Sequence, residues 1–372
     1  MARVLFVVSD DKYFLSHRLS LALALQCKGH QIYLATSLGS IGAKREIEKY
    51  GIEVHDLGIR SKGIDSKSDI KLVIKIRQFI NQVKPEYVFA VAFRMVFVSL
   101  IAFKFSKANF FIGMIAGLGY LSLSKKKSVN VIKYIIIKLL KILSLSRKVS
   151  LICQNQDDFN YLSSSVISEK RLLLVQGSGV DINHYYASKE PATDHVVVTC
   201  VARMLKDKGI VELFEAAELL KKQGHDHIVI QLVGDVHNAN PNTLTQETLI
   251  SWHKQGIIHW LGHRDDIAQL YQNSHIAVLP SYREGLPKSL LEAAASQRAI
   301  IATDVPGCRE ICRNGVNGIL VPVRDAHTLA GAILKLANDH QLRKQFAVAG
   351  RTMVEKEFSD QIVNAAIVKL LA

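Results

Sequence analysis

No acidic residue occurs between Glu86 and Asp157, although eleven basic ones, from Arg94 to Lys148, fill that stretch. An evenly mixed solvated surface is not built this way. Cysteine is scarce too: Cys27, Cys153, Cys200, Cys308 and Cys312 are scattered and include no Cys-x-x-Cys pair. That excludes a disulfide-stapled domain and argues against zinc, since Cys308 and Cys312 have no second ligand pair. Long apolar runs are missing. Val88 to Ala102 is broken by Arg94, and Val129 to Leu145 by three lysines. Neither supplies the roughly 20 apolar residues of a bilayer span. Val4 to Val8 is too short for a signal-peptide core, so a cytosolic protein is expected. No Walker loop or Gly-x-Ser-x-Gly elbow occurs, and Gly117-x-Gly119 lacks the third glycine of a dinucleotide fingerprint.

What is present is length and positive charge. At roughly 100 to 200 residues per domain, 372 residues suggest two domains. The chain holds 47 Lys and Arg against 33 Asp and Glu, a net of +14. Up to residue 190 the count is 28 against 14, and beyond it 19 against 19. The excess therefore belongs to the N-terminal half, and it admits nucleic acid, an anionic membrane or phosphate-bearing substrates as partners.

Short β-branched runs alternate with helical periodicity throughout. Arg3 to Val8 reads as a strand and Leu15 to Lys28 as a helix, followed by strands at Gln31 to Ala35, Glu53 to Leu57 and Tyr87 to Val91. A helix is expected near Lys67 to Lys84, and strands at Phe110 to Met114 and Val149 to Cys153. The glycine-rich turn Gln176 to Asp181 precedes a restart, with strands at His195 to Val201, Ile228 to Val233, Ile257 to Leu261, Ile276 to Pro280 and Ala299 to Thr303. This alternation predicts two doubly wound α/β domains with mainly parallel sheets, 1–185 and 186–372, facing a central cleft. The last helix is expected to pack back on the N-terminal domain.

Chemistry concentrates after the predicted strands of the second half. Glu284-Gly285-Leu286-Pro287-Lys288-Ser289-Leu290-Leu291-Glu292 follows one strand and opens a helix, with Pro287 suited to its first position. A helix start of this kind binds anions, and the two flanking carboxylates suit sugar and ribose hydroxyls. Arg203 and Lys208 bracket another loop at a strand end, where a guanidinium fork and an ammonium suit a diphosphate. Each pair alone is also what a helix cap or a solvated loop presents.

As an ordered set these residues resemble a known family. Arg203-x4-Lys208-Gly209, Val233-Gly234-Asp235, Leu261-Gly262-His263-Arg264, Pro280-Ser281, Glu284-x7-Glu292 and Gly315-x-Asn317-Gly318 are similar to the signature of family-4 retaining glycosyltransferases, of GT-B fold. Phe14-Leu15-Ser16-His17-Arg18 and Gly117-Leu118-Gly119-Tyr120 resemble the bacterial members that build O-antigen, lipopolysaccharide or capsule units on a polyprenyl diphosphate. The resemblance implies that Arg203, Lys208 and Glu284 form the catalytic set. Arg203 and Lys208 hold the donor diphosphate, and Glu284 binds the transferred sugar. Gly285, Leu286, Pro287 and Lys288 supply the backbone cradle, through N–H groups from Leu286 to Lys288. Glu292 takes the ribose hydroxyls, His263 and Arg264 line the nucleobase pocket, and Gly179 joins the donor set. Two features depart from the pattern. The first loop reads Ser9-Asp10-Asp11-Lys12-Tyr13 where many relatives have Gly-Gly, and no histidine occurs between His55 and His184.

No Asp-x-Asp occurs either, so no metal is expected at the diphosphate, and no cofactor beyond a nucleotide-sugar co-substrate. His17 and Arg18 are expected to open the first helix and, with Lys12 and Arg94, to meet the acceptor. On a wheel of about 3.6 residues per turn, Val129 to Lys148 is amphipathic. Ile132, Ile135, Ile136, Leu139, Ile142 and Leu143 fall on one half, opposite Lys133, Lys138, Lys141, Arg147 and Lys148, with Lys125, Lys126 and Lys127 ahead of them. Such a helix lies in a headgroup plane. Nucleic acid is disfavoured because aromatic residues are not interleaved with the cations. The expected protein is a retaining, metal-independent hexosyl- or N-acetylhexosaminyltransferase, peripheral on the cytoplasmic face of the inner membrane. It uses a UDP-sugar and a polyprenyl-diphosphate-linked acceptor. The rivals are a soluble glycosyltransferase acting on a small molecule and a non-catalytic membrane-surface scaffold.

Overall fold

The computed structural model describes residues 1–58, 66–115, 136–146, 148–236 and 240–371. Its chain divides into two compact units, Met1–Ser178 with Val363–Ala372 and Gly179–Ile362. The division thus falls a few residues before the expected 185, and the last ten residues belong with the first unit.

The first unit is a seven-stranded parallel sheet in the order β3-β2-β1-β4-β5-β6-β7. Its strands are β1 (Arg3–Asp10), β2 (Gln31–Ser37), β3 (Glu53–Asp56), β4 (Tyr87–Val91), β5 (Phe110–Ile115), β6 (Val149–Cys153) and β7 (Leu172–Leu174). Helices cover both faces, so β1 is apolar and buried at every position from Val4 to Val8. Leu5 and Val7 join one buried cluster while Val4, Phe6 and Val8 join the other. The C-terminal tail completes the second cluster: Val363 and Ile367 pack there, and Asn364 donates to Ser20 Oγ at 3.0 Å.

The expected single helix at Leu15 to Lys28 is two. Asp10 caps the first, accepting from the Tyr13 N–H at 2.8 Å, so α1 (Asp11–His17) starts directly at the end of β1. The backbone breaks at Arg18 (φ −130°, ψ −11°), and α2 (Leu19–Cys27) follows. His17 therefore closes α1 and Arg18 precedes α2; neither opens the first helix. Sequence periodicity also passed over α3 (Ile41–Glu48) and α5 (Phe93–Lys104). The first has few apolar residues, and the second lies in a run apolar on all sides. Between them, α4 (Ser66–Val83) lies where a helix is expected.

Residues 136–143 are helical, and apart from Leu143 the core takes residues outside the apolar half that the wheel groups together. Leu140 is fully buried, with Ile137 and Leu143 packed on the same cluster. Leu139, Ile142 and Leu145 are instead 42%, 53% and 68% exposed, beside exposed Lys138 and Lys141. The segment is apolar around most of its circumference, so a wheel alone does not say which stripe the sheet takes. Lys125, Lys126, Lys127, Lys133, Arg147, Ile132, Ile135 and Gly117 to Tyr120 lie outside the described residues. Among the described residues no helix is long and apolar enough to cross a membrane.

The second unit is a six-stranded parallel sheet in the order β10-β9-β8-β11-β12-β13. It comprises β8 (Val196–Val201), β9 (Ile228–Val233), β10 (His259–Trp260), β11 (Ile276–Leu279), β12 (Ala299–Thr303) and β13 (Gly318–Val321). The strand expected over Ile257 to Leu261 shrinks to two residues at the sheet edge. The order reverses beside β8, and the loops leaving β8 and β11 diverge at that point, where doubly wound sheets bind ligands.

Candidate active site

The loop after β8 is tied down on both sides by its own backbone. Ala202 N–H donates to Val233 O at 3.0 Å, Met204 N–H to Asp235 O at 3.1 Å, and Leu244 N–H to Met204 O at 2.8 Å. A single 3-10 turn, Lys206–Lys208, ends at Gly209 in the left-handed region (φ 69°), and α8 (Ile210–Lys222) follows. A Cβ at Gly209 would lie 2.0 Å from Pro280 O. Only glycine lets the start of α8 approach the end of β11 this closely. That approach sets Lys208 against the next loop.

There Lys208 Nζ pairs with Glu284 Oε1, both side chains mostly buried. Ser281 Oγ and Tyr282 N–H donate to Asp207 O at 3.3 and 2.9 Å, which fixes the two loops together. Gly307 (φ 81°) closes the other side, with space for a Cβ blocked by Gly285 O at 2.5 Å. Below the ion pair lie the thiols of Cys200 and Cys308. Burial pushes Cys200 up to about 12, with Lys208 opposing and Glu284 adding to the shift. Burial likewise raises Cys308 well above its usual range, Glu284 contributing next. Both remain protonated and neutral at physiological pH, so neither is a ready nucleophile.

Pro287 is the cap residue of α11 (Lys288–Ala295), one place before the first helical position expected for it. Proline carries no N–H, so the cradle from Leu286 to Lys288 has donors only at its two ends. One turn into α11 sits Glu292, only 8% exposed. Burial raises its pKa, opposed by Lys288, whose Nζ lies 3.7 Å away, and by a hydrogen bond from Tyr185. Tyr185 belongs to the polar stretch ahead of β8, where no local pattern marks it. It is held in turn by Arg351, which donates to Tyr185 O at 2.8 Å and Ala295 O at 2.5 Å.

Arg203 is exposed on the loop after β8. The loop after β10 joins the group through Gly234 N–H, which donates to Gly262 O at 2.8 Å. On it, His263 Nε2 lies 3.2 Å from Asp265, and Arg264 makes a two-pronged pair with Asp266 at 2.6 and 2.8 Å. Both are exposed and engaged by carboxylates of their own loop. Gly179 has a different reason to be glycine: at φ 71°, its Cβ would meet Asp360 Cα at 2.4 Å. In the first unit, Arg94 pairs with Asp69 and donates to Ser68 Oγ at 3.4 Å. Lys12 is exposed, and His17 stacks on Tyr13 with ring centroids 4.3 Å apart. Among the described residues no group of three or more His, Cys, Asp or Glu is placed to hold a metal.

The second unit thus brings a lysine, two glutamates and an exposed arginine to the carboxyl ends of adjacent parallel strands, a layout for binding a phosphorylated, hydroxyl-rich ligand. Residues 182–353, nearly all of that unit, match the family model described as "Glycosyl transferases group 1". More particularly, the chain is 26% identical over 319 residues to an N,N'-diacetylbacillosaminyl-diphospho-undecaprenol alpha-1,3-N-acetylgalactosaminyltransferase of Campylobacter jejuni, covering 81% of this chain and 82% of that one. It is 23% identical over 314 residues to an Escherichia coli UDP-Gal:alpha-D-GlcNAc-diphosphoundecaprenol alpha-1,3-galactosyltransferase, covering 82% and 77%. The fold is that of Anabaena Alr3699/HepE, solved with UDP and glucose, at a TM-score of 0.78 and 19% identity over 100% and 99% of the two chains. Two Rossmann-like α/β units place the protein in the GT-B class.

Proposed function

We propose that this glycosyltransferase moves a hexose or N-acetylhexosamine from a UDP-sugar to a polyprenyl-diphosphate-linked saccharide, with retention, without a metal and without a resident cofactor. The observation that carries the donor reading is the Lys208–Glu284 pair at the ends of β8 and β11. Lys208 and Arg203 neutralise charge on the departing diphosphate, which replaces the metal in that role. Glu284 takes hydroxyls of the transferred sugar and Glu292 those of the ribose, while His263 and Arg264 border the base and Gly179 and Gly285 to Lys288 frame the site. No side chain is assigned as a general base. Alignment of the acceptor hydroxyl on the face that the diphosphate leaves accounts for retention.

The acceptor reading rests on relatives whose names carry a diphospho-undecaprenol sugar and on the charge of the first unit. In that reading His17, Arg18, Lys12 and Arg94 belong to the acceptor side. Lys138 and Lys141, interleaved with exposed Leu139, Ile142 and Leu145, form the described part of a surface for the cytoplasmic face of an anionic membrane. Apolar side chains enter the headgroup boundary while ammonium groups meet lipid phosphates. The deciding experiment is a screen of nucleotide-sugars against lipid-linked saccharides, read by mass spectrometry. Transfer from a UDP-sugar to a diphosphate-linked acceptor is expected. Transfer only to water-soluble acceptors contradicts the acceptor reading, and no turnover or UDP binding at all contradicts the donor reading.

A further inference from the structure

Among the described residues three arginines are almost completely withdrawn from solvent: Arg18, Arg298 and Arg343, at 1%, 1% and 5% exposure. Two of them are well satisfied. Arg298 donates from Nε to Tyr271 O at 2.6 Å and from Nη2 to Ser188 Oγ at 2.5 Å, with further carbonyls around it. Arg343 pairs with Glu190 at 3.0 Å and donates to Leu336 O and Ala337 O at 2.7 and 2.8 Å. Arg18 is different. Its Nε and Nη2 are buried with no hydrogen-bond partner, and among the described residues it forms no ion pair.

The acidic residues nearest in sequence are already engaged by other donors. Asp10 accepts from the Tyr13 N–H at 2.8 Å and from Ser9 Oγ at 2.8 Å. Asp11 accepts from the Lys12 N–H and the Gly39 N–H, each at 2.7 Å. A guanidinium cannot shed its proton to relieve burial. An uncompensated buried cation is strongly unfavourable unless something outside the chain compensates it. Arg18 also stands at the N-terminal end of the nine-residue α2, where the helix dipole adds to the positive potential.

We propose that Arg18 is the anion-binding residue of the first unit and that it holds a phosphate or diphosphate group. Assigning that group to the diphosphate of the lipid-linked acceptor rests on the function proposed above. A planar fork of two N–H donors matches the oxygens of one phosphate, which a lysine at this place does not reproduce.

Isothermal titration of the full chain with farnesyl diphosphate and with inorganic diphosphate tests this, in an Arg203→Ala, Lys208→Ala background that removes both cations assigned to the second unit's diphosphate site. Arg18→Met should weaken farnesyl diphosphate binding about 10- to 100-fold, and Arg18→Lys less. The ligand-free Arg18→Met protein should melt no lower than its parent, because methionine fills similar volume without a buried charge. Equal affinity with and without Arg18 overturns the inference. So does a lowered ligand-free melting temperature in Arg18→Met that Arg18→Lys restores, which means a structural partner. Inorganic diphosphate binding as tightly as farnesyl diphosphate supports the anion site and overturns its assignment to a lipid. A chain that turns over no UDP-sugar yet keeps Arg18-dependent diphosphate binding refutes the transferase reading alone.

Discussion

The first unit carries 28 Lys and Arg against 12 Asp and Glu, while the second carries 19 against 21. Their sheets share one topology, so the difference lies in how the cations are held. In the second unit most key cations meet a carboxylate nearby: Lys208 with Glu284, Arg264 with Asp266, Arg313 with Glu357, Arg343 with Glu190. The first unit leaves Arg18 buried with no hydrogen-bond partner for Nε and Nη2, and Lys141 exposed beside Leu139 and Ile142. One unit comes close to balancing its own charge. The other has a surplus that the chain does not neutralise, so its complement is sought in phosphate-bearing partners.

This contrast can be broken from either side. The largest effect is expected in the second unit, where Lys208→Ala or Glu284→Ala removes a charge that the proposed function sets on the donor sugar and diphosphate. Transfer should fall at least about 100-fold, with an unchanged circular dichroism spectrum; a fully active variant sinks the site assignment. In the first unit, Lys138→Ala with Lys141→Ala removes two headgroup contacts of about 1 kcal/mol each. Partitioning to anionic vesicles should drop about 30-fold, as flotation would register, and identical flotation of parent and variant contradicts the membrane surface.

A smaller effect comes from His275, buried beside β8. Its Nδ1 accepts from the Val197 N–H at 3.0 Å and its Nε2 lies 3.1 Å from Pro191 O. Burial lowers its pKa from 6.5, with Arg343 and Arg298 assisting and Glu190 and the Pro191 carbonyl opposing. The unfolded chain therefore takes up the proton first as pH falls. Stability should be full above about pH 6.5 and decline below it, by at most about 1.4 kcal/mol per pH unit until the folded pKa is passed. Denaturant midpoints of the parent and His275→Gln between pH 7 and pH 5 check this, and parallel curves would rule it out. Smallest of all should be the stability change in Arg264→Ala, under about 1 kcal/mol for an exposed pair. Its donor KM should nevertheless rise; an unchanged KM removes Arg264 from the donor site.

Much of this organisation was legible in the residues. Alternating strands and helices announce both sheets, because parallel strands buried on two faces read as short apolar runs. The Glu284-x7-Glu292 run announces a loop opening a helix because Pro287 stands at the helix start. Other features leave no such trace. The break at Arg18 lies inside a continuous apolar periodicity, so the sequence reads as one helix. Tyr185 supports Glu292 from more than a hundred residues away, and Gly307 is required by a backbone contact with Gly285 as well as by its own positive φ. Around residues 136–143 the wheel identifies a helix but not which leucine is buried, since Leu140 and Leu139 are chemically interchangeable until a sheet selects one.

The sequence by itself determined the alternation of strands and helices and the location of the charge excess. These are matters of local periodicity and composition, which neighbours in the chain suffice to specify. Only the tertiary structure decided that Lys208 meets Glu284, that Arg264 is engaged by Asp266, and that Arg18 is buried with no hydrogen-bond partner for Nε and Nη2. Pairing and burial depend on residues far apart in sequence, and a charge reveals what it lacks only once its surroundings are known.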